Sequence, residues 1–326
     1  MKKALVIQTA FLGDVVLATP VVEKLRKSFP GIQIDFLLRK GNELIFEGHP
    51  HIQNILTFDK KSKWDSFWNL QGRIKEENYD LVVNLQRFLT SGLLAVLSGA
   101  KTVIGFDKNP LSFFYHKKYA HRFEPESMLH EVDRNLTLLA EITDGGREMP
   151  KLYPSPKDYS RVFRNKPYIC IAPASKWYTK QWPVENWVLM LSMKPADLDV
   201  LLIGSEGDRE LCAEIASRDP FGEAINCAGE FSLLEVAALM ENARMNFTND
   251  SAPLHIASAM NAPVSAIFCS TIPGFGFYPL SDNSYVAETS EKLSCRPCGI
   301  HGRKKCPEGH FRCVNVSLDA LLNRMD

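Results

Sequence analysis

The sequence predicts an α/β protein built from two parallel-sheet halves, each a run of βαβ units. Three observations carry this expectation. Short apolar or β-branched segments alternate with helical ones from end to end. The 326 residues exceed the length at which a single core usually stops growing, so two domains are the default. A proline-rich stretch, Pro150 to Pro156, interrupts the alternation near mid-chain, and the alternation restarts beyond it. Domain boundaries of 1–157 and 158–326 follow.

In the first half, Ala4–Gln8, Gln33–Leu38, Asp80–Leu85 and Lys101–Ile104 read as strands bounded by turn residues. Val15 to Lys27 has apolar residues at helical spacing and stops at Phe29-Pro30-Gly31. Asp133 to Ile142 reads as a further helix, closed by Asp144-Gly145-Gly146. In the second half the strands are Tyr168–Ala172, Asp199–Ile203, Met245–Thr248 and Val264–Phe268. Trp187–Leu191, Arg209–Ala216, Leu233–Asn242 and Pro253–Met260 are the helices between and after them.

Lysine plus arginine and aspartate plus glutamate both total 38, so no global field favours nucleic acid or a membrane surface. Met1-Lys2-Lys3 followed by apolar residues mimics a secretory leader. Gln8 and Thr9 interrupt its apolar core and Gly13-Asp14 stands where cleavage would fall, so a strand is the reading. Gly92 to Ala100 is about half the length a membrane span needs. A cytoplasmic location is expected, with peripheral contact at the inner membrane left open. The glycine fingerprints of a dinucleotide-binding turn and of a P-loop are both missing, which argues against a nicotinamide dehydrogenase and a P-loop kinase.

Open α/β sheets bind ligands outside the carboxyl ends of their strands. Asp14, in the turn after the first strand, is therefore a candidate general base; helix capping explains the same residue equally well. Beyond Tyr168–Ala172, Ser175 and Lys180 fit a pyrophosphate, while an ordinary surface loop is the alternative. Trp177 and Trp182 imply that this loop packs. Glu206 stands where a ribose diol is often held, with Asp208 a ready helix cap. Asn249-Asp250-Ser251 opens a helix whose amides and Ser251 suit phosphate oxygens. Asp250 would repel phosphate and is expected to order the turn through backbone N–H groups. His255, one turn in, fits a core role as well as a ligand contact.

Four of the eight cysteines lie in one segment: Cys295, Cys298, Cys306 and Cys313. A CxxC followed by two more cysteines reads as a structural tetrahedral thiolate site for zinc or iron. Two disulfides, or four reduced thiols, remain alternatives. Cys170, Cys212, Cys227 and Cys269 sit in apolar contexts and are expected to be buried.

Taken together, the Gly13-Asp14 turn, Lys180-Gln181-Trp182-Pro183, and Asn249-Asp250-Ser251 with His255 resemble the bacterial lipopolysaccharide heptosyltransferases, glycosyltransferase family 9. The resemblance spans nearly the whole chain. It implies a GT-B architecture, two Rossmann-like domains with parallel sheets facing across a cleft, acceptor on the first and nucleotide-sugar donor on the second. It implies that Asp14 deprotonates an acceptor hydroxyl, which displaces ADP from the anomeric carbon with inversion. Ser175, Lys180, Asp250, Ser251, His255 and Glu206 would hold the donor; Gly13, Arg87 and His130 would face the acceptor. No catalytic metal is implied, since lysine and helix amides stabilise the leaving group. The implied partners are an ADP-heptose-type donor and a lipid-linked core oligosaccharide at the inner membrane surface, with no nucleic acid. The cysteine cluster resembles the metal-binding finger of heptosyltransferases that modify proteins, so a protein acceptor is one alternative and a nucleotide-sugar epimerase of the same architecture another. A nucleic-acid-binding zinc module, suggested by Arg303, Lys304, Lys305 and Arg312 beside the cysteines, is a third. Two positions depart from the family pattern: Phe268-Cys269-Ser270-Thr271 replaces a Gly-Pro pair, and Ala252 replaces a glycine.

Overall fold

The computed structural model describes residues 1–325. The chain divides into two compact units. One comprises residues 1–123 and 130–153; the other comprises 124–129 and 154 onward. The second unit thus begins a few residues before the expected boundary at 158. It also includes a six-residue excursion, seated where the Tyr278 hydroxyl donates to the Met128 carbonyl (3.1 Å).

The first unit holds six parallel strands, β1 Lys3–Gln8, β2 Gln33–Arg39, β3 Asn54–Phe58, β4 Leu81–Asn84, β5 Thr102–Phe106 and β6 Lys117–Tyr119, in the order β3-β2-β1-β4-β5-β6. A parallel sheet covered on both faces needs strands apolar on both sides. β1, β2 and β4 meet that need, being almost wholly buried. Leu5, Ile7, Leu37, Val82 and Phe67 share one core cluster with Ile74 and Leu94. Each such side chain contributes about 1.5–3 kcal/mol.

The single helix expected over Val15–Lys27 is two, Leu12–Val16 and Thr19–Ser28. Pro20 is the reason. It has no N–H to return to the Val16 carbonyl, and the Thr19 hydroxyl donates there instead (2.8 Å). Proline is tolerated in the first turn of the second helix. The helix expected over Asp133–Ile142 spans Glu131–Thr137 and continues as tighter turns, such as Leu139 N to Leu136 O and Ile142 N to Leu139 O.

The second unit repeats the plan with β7 Tyr168–Ala172, β8 Asp199–Leu202, β9 Ala224–Asn226, β10 Met245–Asn249, β11 Val264–Phe268 and β12 Ser284–Glu288, all parallel, ordered β12-β11-β10-β7-β8-β9. Its core packs Ile169, Ile171, Val200 and Phe247 against Trp182, Trp187 and Met190.

In each parallel sheet the order of strand connection reverses once, between β1 and β4 in the first and between β7 and β10 in the second. At such a switch point the flanking loops diverge to opposite faces and leave a crevice at the strand ends. Among the described residues no helix is long and apolar enough to cross a membrane.

Candidate active site

In the first unit, Asp14 follows β1 and its carboxylate accepts the Phe11 N–H (3.2 Å). The capping function is therefore real, and it occupies one oxygen of a half-buried carboxylate. Gly13 beside it is buried. Gln8, which closes β1, accepts from Ala10 N–H (3.3 Å) and from the Gln86 side chain of the loop after β4. Asn84 Oδ1 accepts the Gln86 N–H (3.0 Å), and Asn109 Nδ2 donates to the carbonyls of Gln86 (2.9 Å) and Phe88 (3.0 Å). The loops after β1, β4 and β5 are thus cross-tied at the switch point, with Asp14 and Arg87 on them.

Arg87 is exposed and lies over the Phe88 ring at 5.4 Å. Lys108 is nearby: burial, together with the positive charges of Arg122 and Arg87, lowers its pKa. His130 has a different part. Its ring, 0% exposed, caps the helix Glu131–Thr137 by accepting Val132 N–H at Nδ1 (3.1 Å). His130 thus has a structural part as a helix cap. Glu131 next to it bonds His121 Nε2 (3.0 Å) and Arg134 Nε (2.7 Å). Burial pushes its carboxyl up, but these two partners hold it below the usual value.

In the second unit the loops after β7 and β10 meet. Lys180 Nζ lies 2.7 Å from Asp250 Oδ2. The same oxygen accepts the Thr271 hydroxyl (2.6 Å). Asp250 therefore orders its turn through side-chain partners rather than the backbone N–H groups expected from sequence. An ammonium has three donors, and this pair leaves two for a ligand. Asn249 stitches the loops from the other side, accepting Trp182 N–H (3.0 Å) and donating to the Pro173 carbonyl (2.7 Å). Trp182 is buried and its indole N–H donates to the Val314 carbonyl (2.9 Å).

Ser175 is half-buried in the same loop, its carbonyl accepting Gln181 Nε2 (2.6 Å). Ser251 stands at the start of the helix Ala252–Ala259. Its hydroxyl donates to the Asn249 carbonyl (3.4 Å) rather than capping the helix, so no side-chain cap closes that N-terminus. His255 is buried in the helix, 6.2 Å from the Phe277 ring. Glu206 stands apart at the end of β8, exposed and 3.1 Å from Arg209. Asp208 caps its turn, accepting the Ser205 N–H (2.8 Å).

The cysteine segment packs on this site. Cys298 N–H donates to the Ser270 carbonyl (2.9 Å), and Thr179 and Arg303 exchange backbone and hydroxyl bonds. Cys295, Cys298, Cys306 and Cys313 are all free thiols. Burial, with Cys295 and Cys306 adding, pushes the Cys298 thiol up; burial, with Cys298 and Cys306 adding, brings Cys313 to about 11. Among the described residues, however, no three His, Cys, Asp or Glu side chains are gathered as metal ligands. Cys170, Cys212, Cys227 and Cys269 are buried, as expected.

Sequence reasoning missed Thr179, Ser270, Thr271 and Arg296. The replacement of Gly-Pro by Cys269-Ser270-Thr271 was the available signal, since it exchanges a rigid turn for side chains that need partners.

The sequence model of glycosyltransferase family 9 (heptosyltransferase) matches residues 67–310, most of the chain and both units. The chain belongs to glycosyltransferase family 9. It is 28% identical over 323 residues to lipopolysaccharide heptosyltransferase 1 of Pseudomonas aeruginosa, covering 91% of this chain and 86% of that protein. Among solved structures, E. coli ADP-heptose lipopolysaccharide heptosyltransferase II superposes with a TM-score of 0.81 at 20% identity, covering 100% of this chain and 97% of the other. The dodecameric iron-containing heptosyltransferase TibC, solved with ADP-D-β-D-heptose, superposes with a TM-score of 0.59 at 16% identity, covering 99% and 76%. The chain is therefore a glycosyltransferase of the heptosyltransferase family, with the GT-B fold of two Rossmann-like units. Within that family 9 frame, the switch points of its two sheets carry Asp14 and Arg87 in one unit and Lys180, Asp250 and Ser251 in the other.

Proposed function

We propose that this enzyme transfers a heptose from ADP-heptose to a hydroxyl of a lipid-linked core oligosaccharide, with inversion. In this reading residues 1–157 bind acceptor and residues 158–326 bind donor. The observation that carries it is the Lys180–Asp250–Thr271 cluster beside an uncapped helix N-terminus at the second unit's switch point. A cation held in place next to free helix-end dipole is what a departing diphosphate requires.

Asp14 takes the proton of the acceptor hydroxyl. The freed oxygen attacks the anomeric carbon, the C–O bond to the diphosphate breaks, and ADP leaves with the bonding pair. Lys180, Ser175 and Ser251 meet its oxygens; His255 backs the helix that carries Ser251, and Glu206 takes the ribose. Arg87 and Gly13 serve the acceptor. The likeness to proteins named for lipopolysaccharide heptose transfer supports this choice of substrates. Such an acceptor puts the reaction at the cytoplasmic face of the inner membrane.

In the same reading the four cysteines hold a structural zinc or iron ion. Four thiols in one segment suit either ion, and the structural neighbour TibC is described as iron-containing. No step of the transfer passes through that ion.

A thermal-shift panel of nucleoside diphosphates, followed by mass analysis of acceptor incubated with ADP-heptose, tests the proposal. It expects ADP to stabilise the chain by mass action and the acceptor to gain one heptose. Conversion of the donor sugar without transfer would replace it with an epimerase.

A further inference from the structure

We propose that the segment from Cys295 to Arg303 is a positioning clamp for Lys180, with Arg296 as its working side chain. The inference rests on the reading above, in which Lys180 meets the donor diphosphate.

Two struts run from this segment to the lysine. The first starts at Arg296, whose side chain is 11% exposed. Its Nε donates to the Cys269 carbonyl (2.8 Å), and its Nη2 donates to the carbonyls of Phe268 (3.1 Å) and Thr271 (2.8 Å) and to Glu288 Oε2 (2.7 Å). β11 ends at Phe268, so carbonyls beyond it lose the regularity of the sheet ladder and need other donors. One guanidinium, with five N–H groups in a rigid fork, supplies them. The loop so held presents Thr271 to Asp250, and Asp250 to Lys180.

The second strut grips the lysine's own loop. Ser270, whose carbonyl takes the Cys298 N–H, donates its hydroxyl to Thr179 Oγ1 (2.9 Å). Thr179 N–H donates to the Arg303 carbonyl (3.1 Å), and Arg303 N–H donates to Thr179 Oγ1 (2.7 Å). Gly302 closes the contact. Its φ of +74° is glycine's territory, and a Cβ there would lie 2.9 Å from Lys180 Cγ and 3.1 Å from Thr179 Oγ1. The bare glycine lets the segment lie directly against the lysine stem.

Fixing a binding side chain before the ligand arrives lowers the ordering cost of binding. Arg296 is thus a positioning residue that acts through Lys180, and its contribution should vanish when the lysine's charge is gone.

ADP is the probe, titrated by calorimetry into the full chain, with a melting curve for each variant. Arg296→Gln should weaken ADP about ten-fold, and Lys180→Gln by at least as much; in the double variant the Arg296 change should add almost nothing. Gly302→Ala should also weaken ADP several-fold. Gly299→Ala is its control, because Gly299 shares a positive φ of +93° but a Cβ there meets nothing within 4 Å. It should leave ADP binding unchanged. If Arg296→Gln binds ADP like the wild type, or loses equal affinity with and without Lys180, the clamp is overturned. Should Arg296→Gln not fold, the glycine pair decides: equal ADP affinity for Gly302→Ala and Gly299→Ala overturns it. If Lys180→Gln itself leaves ADP binding intact, the donor-site reading falls and the clamp falls with it.

Discussion

Lys180 Nζ lies 2.7 Å from Asp250 Oδ2, a pair joining the loops that follow two neighbouring strands at the second sheet's switch point. Both side chains are largely buried, so the pair is tied to its place rather than waving in water. A partly buried charge left without its partner is expensive, typically about 3 kcal/mol or more. The aspartate therefore restrains the lysine while leaving donors for a ligand.

Lys180→Gln keeps a donor for Asp250 and removes the positive charge. We expect kcat/KM for the donor to fall by about two orders of magnitude, about 3 kcal/mol of transition-state stabilisation, together with a lowered melting temperature, because the buried Asp250 carboxylate loses its cation. Steady-state kinetics at varied ADP-heptose, beside a melting curve, check it. Unchanged kinetics would remove Lys180 from the leaving-group site.

Asp14→Asn retains an oxygen for the Phe11 N–H, so the turn should survive. Loss of the base should cost about 10²–10⁴-fold in turnover with ADP affinity preserved. Single-turnover rates give the answer, and near-full activity would assign Asp14 to capping alone.

His49 gives the chain a dependence on acid. It is 7% exposed, its Nε2 finds no hydrogen-bond partner among the described residues, and Glu23, His51 and Tyr153 surround it. Burial, with His51 adding, lowers its pKa from 6.5 to about 4. The unfolded chain thus takes the proton at higher pH than the folded chain does. The stability His49 contributes is complete above about pH 6.5 and drains away as pH falls toward 4, by about 3 kcal/mol at most. His49→Gln should flatten the melting temperature across that window. A wild-type curve already flat there would contradict the lowered pKa.

Protein purified without chelator should carry about one zinc or iron per chain, and a strong chelator should lower its melting temperature. Elemental analysis under reducing conditions tests this. A metal-free chain of undiminished stability would leave the cysteines as packed thiols.

The eight inner strands of the two sheets were legible from sequence because burial on both faces writes a continuous apolar run. The four that were not, β3, β6, β9 and β12, are the edge strands, where one side meets solvent and runs such as Lys117–Tyr119 carry charge. The split of the first helix follows from Pro20, which lies inside the expected span and cannot donate to the Val16 carbonyl. Asp14, Lys180 and Ser251 stand out as candidates because they sit in turns after recognisable strands. Thr271 and Arg296 could not. Their importance lies in contacts between segments distant in sequence, which no local spacing records.

The most direct measurement is the release of ADP from ADP-heptose by the wild-type enzyme, with and without the lipid-linked core acceptor. Release should depend on acceptor and match heptose gained, mole for mole. Equal release without acceptor, or donor consumed with no sugar transferred, would contradict it.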